Sequence, residues 1–364
     1  MGYKARRAVG ARPRAIAEVA ERSWVIAPGI DEPAARPFVA DGHLDRILQG
    51  SPRMPCPDDV RRVLSAERHV ARETRAYVLR DACLIDHHVY SGLHKHDLFR
   101  GSGALAALAR ERTGGFGEAV LATCYAGARW FGHFLHDELP LQLLARELGT
   151  AVGHCRPEYR HERMWRSLLD IDEPARYGVL HARRLIVVDD IGQNPDKRRR
   201  YRALRARLAG LPKGHDRVYL RRGSGDGEPR ALVNGAELER RLSAEGFQIV
   251  DTASETPEMI ARTCAGASVV VSIEGSHAVP AFLLAQDGAC TLFICPPRRV
   301  DPILAQLAGF FGLTGALFVG RPAARSGLSF SVDPDELMHA LDAATVDVQR
   351  RGLRARSPAD ASEH

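Results

Sequence analysis

The stretch Ser268-Val269-Val270-Val271-Ser272-Ile273-Glu274-Gly275-Ser276-His277 sets out a fold in its order of residue types. Three β-branched residues in an apolar run read as a strand buried on both faces, and Gly-Ser directly after it reads as the entry to a helix over 276–285. The same alternation continues on either side. Strands are expected over 216–222, 247–250, 290–295 and 316–319, with helices over 235–245, 257–265 and 302–311. Strand and helix alternating at this spacing require right-handed crossovers and a parallel sheet covered on both faces, a Rossmann-like domain. Capping signals agree: Thr256 precedes Pro257 at a first helical position, and Asp333-Pro334-Asp335-Glu336 opens the last helix.

The first half is less regular. After the apolar run Trp24-Val25-Ile26-Ala27 come Pro28, Pro33, Pro37, Pro52, Pro55 and Pro57, an irregular lead-in. Short β-type runs at 76–79, 82–85 and 119–121 suggest a small meander, and a long helical pattern spans 130–148. A strand near Leu185-Ile186-Val187-Val188 and an Arg-rich helix complete this half, with Lys213-Gly214 as the link. The expected fold class is α/β, with two Rossmann-like domains and a β meander in the first. The expected boundaries are a lead-in arm 1–60, a first α/β domain 61–212, a second Rossmann-like domain 213–350 and a flexible tail 351–364.

Composition narrows the classes. The 364 residues are 45% hydrophobic and 26% charged, with 33 Gly and 21 Pro, which excludes disordered and collagen-like chains. No run of about eighteen apolar residues occurs, and Met1-Gly2-Tyr3-Lys4-Ala5-Arg6-Arg7 is not an apolar leader, so a soluble, cytoplasmic protein is expected. The formal charge is +6, yet of 51 basic residues only Lys4, Lys95, Lys197 and Lys213 are lysine, and the arginines are interspersed with 45 acidic residues. Only Lys197-Arg198-Arg199-Arg200 is a dense basic run, read as a solvated helix face, and a nucleic-acid partner is not expected. Seven scattered Cys without a C-x-x-C spacing read as reduced, mostly buried thiols.

Ligands of open parallel sheets bind beyond the carboxyl ends of the strands. Two such ends stand out here. One runs into Arg221-Arg222-Gly223-Ser224-Gly225, two guanidinium groups and a turn suited to phosphate; the other runs into Glu274-Gly275-Ser276-His277, where glycine permits close approach and helix amides favour an anion. The bland readings are a surface ion pair and a simple turn with an N-cap. No Gly-x-x-x-x-Gly-Lys-Ser/Thr is present and no Gly-x-Gly-x-x-Gly opens a helix, which disfavours a P-loop ATPase and a standard nicotinamide dehydrogenase.

The segment Trp130-Phe131-Gly132-His133-Phe134-Leu135-His136-Asp137-Glu138-Leu139-Pro140 resembles a helix of glycosyltransferase family 61, with its aromatic stretch, His, following Asp and Leu-Pro. The resemblance continues through Val218-Tyr219-Leu220-Arg221-Arg222, Glu245-Gly246-Phe247, Val270 to His277 and Phe293-Ile294-Cys295-Pro296-Pro297, covering about 76–320 in the expected order. Many relatives carry Asn at the position of Trp130 and His-Gly at that of Glu274-Gly275, and a Glu-Gly-Ser variant occurs among bacterial members. The resemblance implies a GT-B-type fold and inverting, metal-independent transfer of a sugar from a nucleotide-sugar donor to a glycan or other hydroxyl acceptor, as in bacterial polysaccharide biosynthesis. The first α/β domain would then serve the acceptor and the second the donor. Nucleotide-sugar is substrate, no cofactor is expected, and peripheral membrane association stays open. A non-catalytic carbohydrate- or nucleotide-binding module of the same fold is the alternative.

Inversion by direct displacement needs a base for the acceptor hydroxyl and donors for the departing diphosphate. His133 and Asp137, four apart, are the candidate catalytic pair; a helix-surface or interface-tying pair is the competing reading, and Pro140 limits the helix ahead of it. Arg221 and Arg222 are the candidate diphosphate cations, with Gly275 and Ser276 as donors. Glu274 either binds ribose or sugar hydroxyls or caps the next helix, and His277 either joins the site or packs. Pro296-Pro297 is expected to shape its loop and contact nothing. The Asp-x-Asp strings Asp170-Ile171-Asp172 and Asp333-Pro334-Asp335 are poor metal sites, since the first follows a helical stretch and Asp333 reads as an N-cap. The His-rich segment from Asp86-His87-His88 to His94-Lys95-His96-Asp97 is read as exposed loop rather than zinc site.

Overall fold

The computed structural model describes residues 12–85, 87–98, 112–223, 230–324 and 327–356. Met1–Arg7, Asp86, Ser224, Gly225 and residues 357–364 of the expected tail lie outside them. Two compact units divide the chain: Met1–Asp31 with Val70–Arg207, and Glu32–His69 with Leu208–His364. The lead-in is therefore no separate arm. Its strand Arg22–Ala27 pairs antiparallel with Thr74–Ile85, placing Trp24 and Ile26 on one face of the first unit's sheet, while Phe38–Val39 pairs with Ala316 and Leu317 in the second unit. The alternation of Trp24 and Ile26 is the period-two signal of a half-buried strand.

The first unit is built on an eight-stranded sheet. Ala175–Tyr177, Ala151–His154, Thr113–Leu121 and Val179–Asp189 run parallel, and Thr74–Ile85, His88–Ser91 and His94–Asp97 continue it antiparallel. It is thus a mixed sheet, not the all-parallel sheet expected of a Rossmann-like domain, because the short links between these last three strands permit only antiparallel neighbours. The runs at 76–79 and 82–85 form one strand, turned at Asp81, whose φ is +44°. Ala119, Leu121, Leu185 and Val187 fill one face, and Val120 and Ile186 the other, where Ala145 and Leu148 cover them.

The helical stretch over 130–148 is broken into pieces. Helices Tyr125–Arg129 and Phe131–His133 are followed by a π-helical turn, Phe134–Glu138, and then by the α-helix Leu139–Leu148. Pro140 has no N–H to donate, and the Leu139 N–H reaches back five residues to Phe134 O, so the chain takes the wider turn. Gly127 lets the first of these helices lie close to the π turn: a Cβ there would fall 2.5 Å from Glu138 Cβ.

The second unit holds a six-stranded, wholly parallel sheet in the order Gln248–Asp251, Arg217–Arg221, Val269–Ile273, Cys290–Cys295, Thr314–Val319, Phe38–Val39. All five residues of Val269–Ile273 are buried, as a central parallel strand requires. Leu238, Leu242, Leu337 and Leu341 pack with Tyr219, Val271, Leu292 and Phe318. Phe282 lies against Phe293 and Phe311 with ring centroids 5.9 and 5.1 Å apart. Thr256 caps Pro257–Cys264, and Asp333 Oδ1 accepts the Asp335 and Glu336 N–H groups at the start of Pro334–Arg356, which runs past the expected end of this domain. The helix expected over 276–285 is shorter: a 3₁₀ turn, Ser276–Ala278, precedes Pro280–Leu284, because Pro280 cannot donate the bond that would join them. No helix among the described residues is long and apolar enough to cross a membrane.

Gly315 sets how closely the helix Ile303–Phe310 approaches the sheet, since a Cβ there would fall 1.8 Å from Ala305 O. Gly315→Ala is expected to cost about 1–3 kcal/mol. The measurement is the urea midpoint; a midpoint equal to that of the parent would show that the helix retreats freely.

Candidate functional site

The π turn brings three titratable side chains of one helical segment together. His133 Nδ1 lies 2.6 Å from Asp137 Oδ2, and His136 Nδ1 lies 3.3 Å from the same oxygen. The other oxygen, Oδ1, accepts a 2.6 Å hydrogen bond from Lys197 Nζ, which also donates to the Asp190 carbonyl at 2.7 Å. Burial opposes ionisation of Asp137, but the charges of His136 and Lys197 and the imidazole hydrogen bonds hold its carboxyl well below its ordinary value. Burial likewise opposes the Lys197 charge, and Asp137 raises its pKa past the ordinary lysine range. The donor atoms of His133, His136 and Asp137 lie within 4.8 Å of one another, and the cation that Asp137 holds is the Lys197 ammonium.

Lys197 was read from sequence as part of a solvated face, and here the structure corrects the reading. Lys197 and Arg200 are 0% and 2% exposed, while Arg199 is exposed. Lys197, Arg200, Tyr201 and Leu204 are the buried residues of Pro195–Ala206, spaced i, i+3, i+4, i+7. That periodicity was the available signal, masked by charge at two of its positions. Asn194 caps the helix, and Arg200 grips Asp190 with two 2.8 Å bonds and the Pro140 carbonyl with a third at 3.1 Å. The helix is thereby tied to the turn that carries Asp137. Behind it Arg156 joins Glu138 at 3.1 Å and Glu162 at 2.8 Å, all deeply buried.

In the second unit the strand order reverses between Arg217–Arg221 and Val269–Ile273, the switch point at which open α/β sheets place ligands. The two sequence-selected loops leave these neighbouring strands at their carboxyl ends. They divide the candidate residues. Arg221 turns to Asp251 at 2.8 Å and Glu239 at 3.4 Å, both carboxylates. Arg222 comes to Gly275: a Cβ on that glycine would meet the Arg222 guanidinium at 2.3 Å and that of Arg230 at 2.7 Å. Glu274 is 5% exposed and bonded through Oε2 to Arg230 at 3.1 Å and Arg299 at 2.9 Å, while Arg230 also bonds the Glu274 carbonyl. It neither caps the next helix nor stands ready for a ribose. His277 Nε2 lies 3.0 Å from Ser272 Oγ, and burial, reinforced by Arg222 and Arg230, pushes its pKa down to about 3, so it is neutral. Ser276, in the 3₁₀ turn, is partly buried. Three guanidinium groups thus gather at Glu274, with the Asp301 carboxylate also near enough to act on Arg230.

Sequence reasoning missed Arg230 and Arg299. The signal for Arg299 was the turn after Pro296-Pro297, where the Arg299 N–H donates to the Pro296 carbonyl. Those prolines do make contacts, for the Pro297 carbonyl accepts the Leu48 and Gln49 N–H groups. Of the other candidates, Asp333 is the N-cap expected, and the carbonyls of Asp170 and Asp172 accept bonds from Arg207 and Arg146. The His-rich segment is strand rather than exposed loop. His88 and Lys95 share Asp97, and His94 is buried with Nδ1 on the Arg14 carbonyl. None of the seven cysteines forms a disulfide; Cys56 is exposed and Cys264, Cys290 and Cys295 are buried.

The second unit is thus an open parallel α/β sheet with a cationic switch point. Residues 131–292 match the family model described as Glycosyltransferase 61, a span that includes the His133–Asp137 turn and ends within the sheet. The match supports a glycosyltransferase of that family. No curated protein matches the chain.

Because the folded-state pKa of Asp137 is depressed, its ionisation stabilises the fold above the ordinary carboxyl pKa, and that contribution is lost as pH falls through the lower folded value. Asp137→Asn removes this dependence. Its stability is expected to fall less steeply than that of the parent below about pH 4, as followed by urea denaturation across pH; parallel slopes would contradict the assignment.

Proposed function

We propose that the chain is an inverting glycosyltransferase that moves a sugar from a nucleotide-sugar donor to a hydroxyl acceptor on a glycan. The observation that carries this reading is the concentration of Arg222, Arg230 and Arg299 around the Glu274 carboxylate at the switch point, within a chain matching Glycosyltransferase 61. Such an excess of guanidinium suits a diphosphate, which Arg binds in bidentate fashion. Gly275 leaves room for the guanidinium groups beside the backbone.

In an inverting transfer the acceptor oxygen bonds to the anomeric carbon and gives its proton to a base, while the bond from that carbon to the diphosphate breaks and its electron pair leaves on the phosphate oxygen. The roles are proposed within each unit by itself: His133 Nε2 of the first as a base, and the arginines of the second as groups suited to the diphosphate charge. Asp137 accepts Nδ1–H of His133 and so orients the ring with its Nε2 lone pair outward. Metal independence is part of the proposal: the arginines supply the positive charge for the diphosphate, and Lys197 supplies it for Asp137. Polysaccharide biosynthesis and a cytoplasmic location are part of the same proposal.

Titration calorimetry with UDP, GDP and CDP tests it. One of them is expected to bind, with at least a tenfold loss in Arg222→Ala and in Arg230→Ala and a smaller one in Arg221→Ala, whose guanidinium is committed to Asp251 and Glu239. Absence of binding by all three nucleotides, or an equal loss in all three variants, would remove the support.

A further inference from the structure

Asp137 sits where one positive charge is needed, and three side chains are placed to supply it. His133 and His136 approach Oδ2 at 2.6 and 3.3 Å, and Lys197 approaches Oδ1 at 2.6 Å. The choice among them decides the chemistry. An imidazolium has both nitrogens protonated and no lone pair with which to take a proton, whereas a neutral imidazole that gives Nδ1–H to a carboxylate keeps its lone pair on Nε2.

We infer that Lys197 is the built-in countercharge that leaves His133 neutral with Nδ1 protonated, a positioning residue that makes the imidazole a base. The inference rests on the reading of His133 as the acceptor's base. His136 shares Oδ2 with His133, and the charged or titratable groups beyond the two imidazoles and Lys197 are committed elsewhere. From the loop before the Lys197 helix, Asp190 is held by Arg200 through two 2.8 Å bonds and by Thr74 Oγ1 at 2.8 Å, so its carboxylate does not draw the ammonium away. Tyr201, on the same helix as Lys197, gives its hydroxyl to Gln193 at 2.7 Å. Glu138, next in the chain, pairs with Arg156. Cys124, which precedes the Tyr125–Arg129 helix, is kept protonated by burial. Lys197 and Asp137 therefore form a direct ion pair through Oδ1, and His133 is not required to carry the charge, while His136 lies 3.3 Å from Oδ2. The second bond from Nζ to the Asp190 carbonyl fixes the ammonium, and the Arg200 bond to the Pro140 carbonyl fixes the helix that bears it.

The test is nitrogen-15 NMR of the His133 imidazole in the full chain, with Lys197→Met and Lys197→Arg alongside. In the parent at pH 7 the ring is expected to be neutral and protonated at Nδ1. A protonated ring at that pH, or a proton on Nε2, overturns the inference without any variant, so misfolding of Lys197→Met would not shelter it. In folded Lys197→Met the imidazolium is expected to persist about one pH unit higher, with the acid limb of kcat/KM moving by the same amount and kcat at neutral pH falling by about threefold or less. The donor KM should hold within about twofold, and Lys197→Arg should return the parent pH profile. An unmoved pH profile with lower kcat would mark Lys197 as merely structural and overturn the inference. The expected tautomer and shift, found in a chain that transfers no sugar from any nucleotide donor, would uphold the countercharge while removing the transferase reading.

Discussion

A carboxylate withdrawn from water must find its positive charge inside the protein, and the first unit is organised around that requirement at Asp137. Removing an ion from water costs several kcal/mol, and only good geometry with further hydrogen bonds recovers it. Here one oxygen takes an ammonium and the other takes imidazole N–H. The ammonium comes from a helix whose own position depends on Arg200, Asp190 and the Asn194 cap. The carboxylate sits on a π turn that Pro140 imposes. Backbone irregularity and charge compensation thus meet at one residue. π turns inside helices frequently mark functional sites, since they turn several consecutive side chains to one side.

The second unit applies the opposite imbalance. Glu274 is neutralised more than once over, by Arg230 and Arg299, with Arg222 beside Gly275. His277 does not add to the charge, because the arginines and burial keep it neutral. The surplus of positive charge lies where the strand order reverses, the place at which parallel sheets leave a crevice at their carboxyl ends. The positive charge there comes from the guanidinium cluster, since the Ser276–Ala278 turn and the short helix after it lack the aligned amides of a long helix.

Much of the second unit was legible in the order of its residues. The Val269–Val271 run, the Cys290–Cys295 strand, the Thr256 and Asp333 caps and the loops after Leu220 and Ile273 all follow from local rules, and each holds in the structure. Local rules failed where distant groups decided the outcome. The Lys197–Arg200 run has a solvated composition, yet two of its four residues point inward because carboxylates wait there. Phe38–Val39 has too little local signal to be recognised as a strand, and its partner lies nearly three hundred residues away. Arg299 is indistinguishable from other arginines until Pro296-Pro297 turns it toward Glu274.

By itself the sequence determined the αβ alternation and the parallel sheet of the second half, and the two loops that carry Arg221-Arg222 and Gly275-Ser276; the meander read from 76–79, 82–85 and 119–121 is instead one strand and a distant parallel one. Periodicity, capping and turn chemistry are properties of neighbouring residues, so they can be read along the chain. Only the tertiary structure decided which arginine serves Glu274 and which serves Asp251, that Lys197 pairs with Asp137, and that the first sheet is mixed. Charge compensation in a buried site is settled by distance in space, to which a linear spacing of sixty residues, as between Asp137 and Lys197, gives no access.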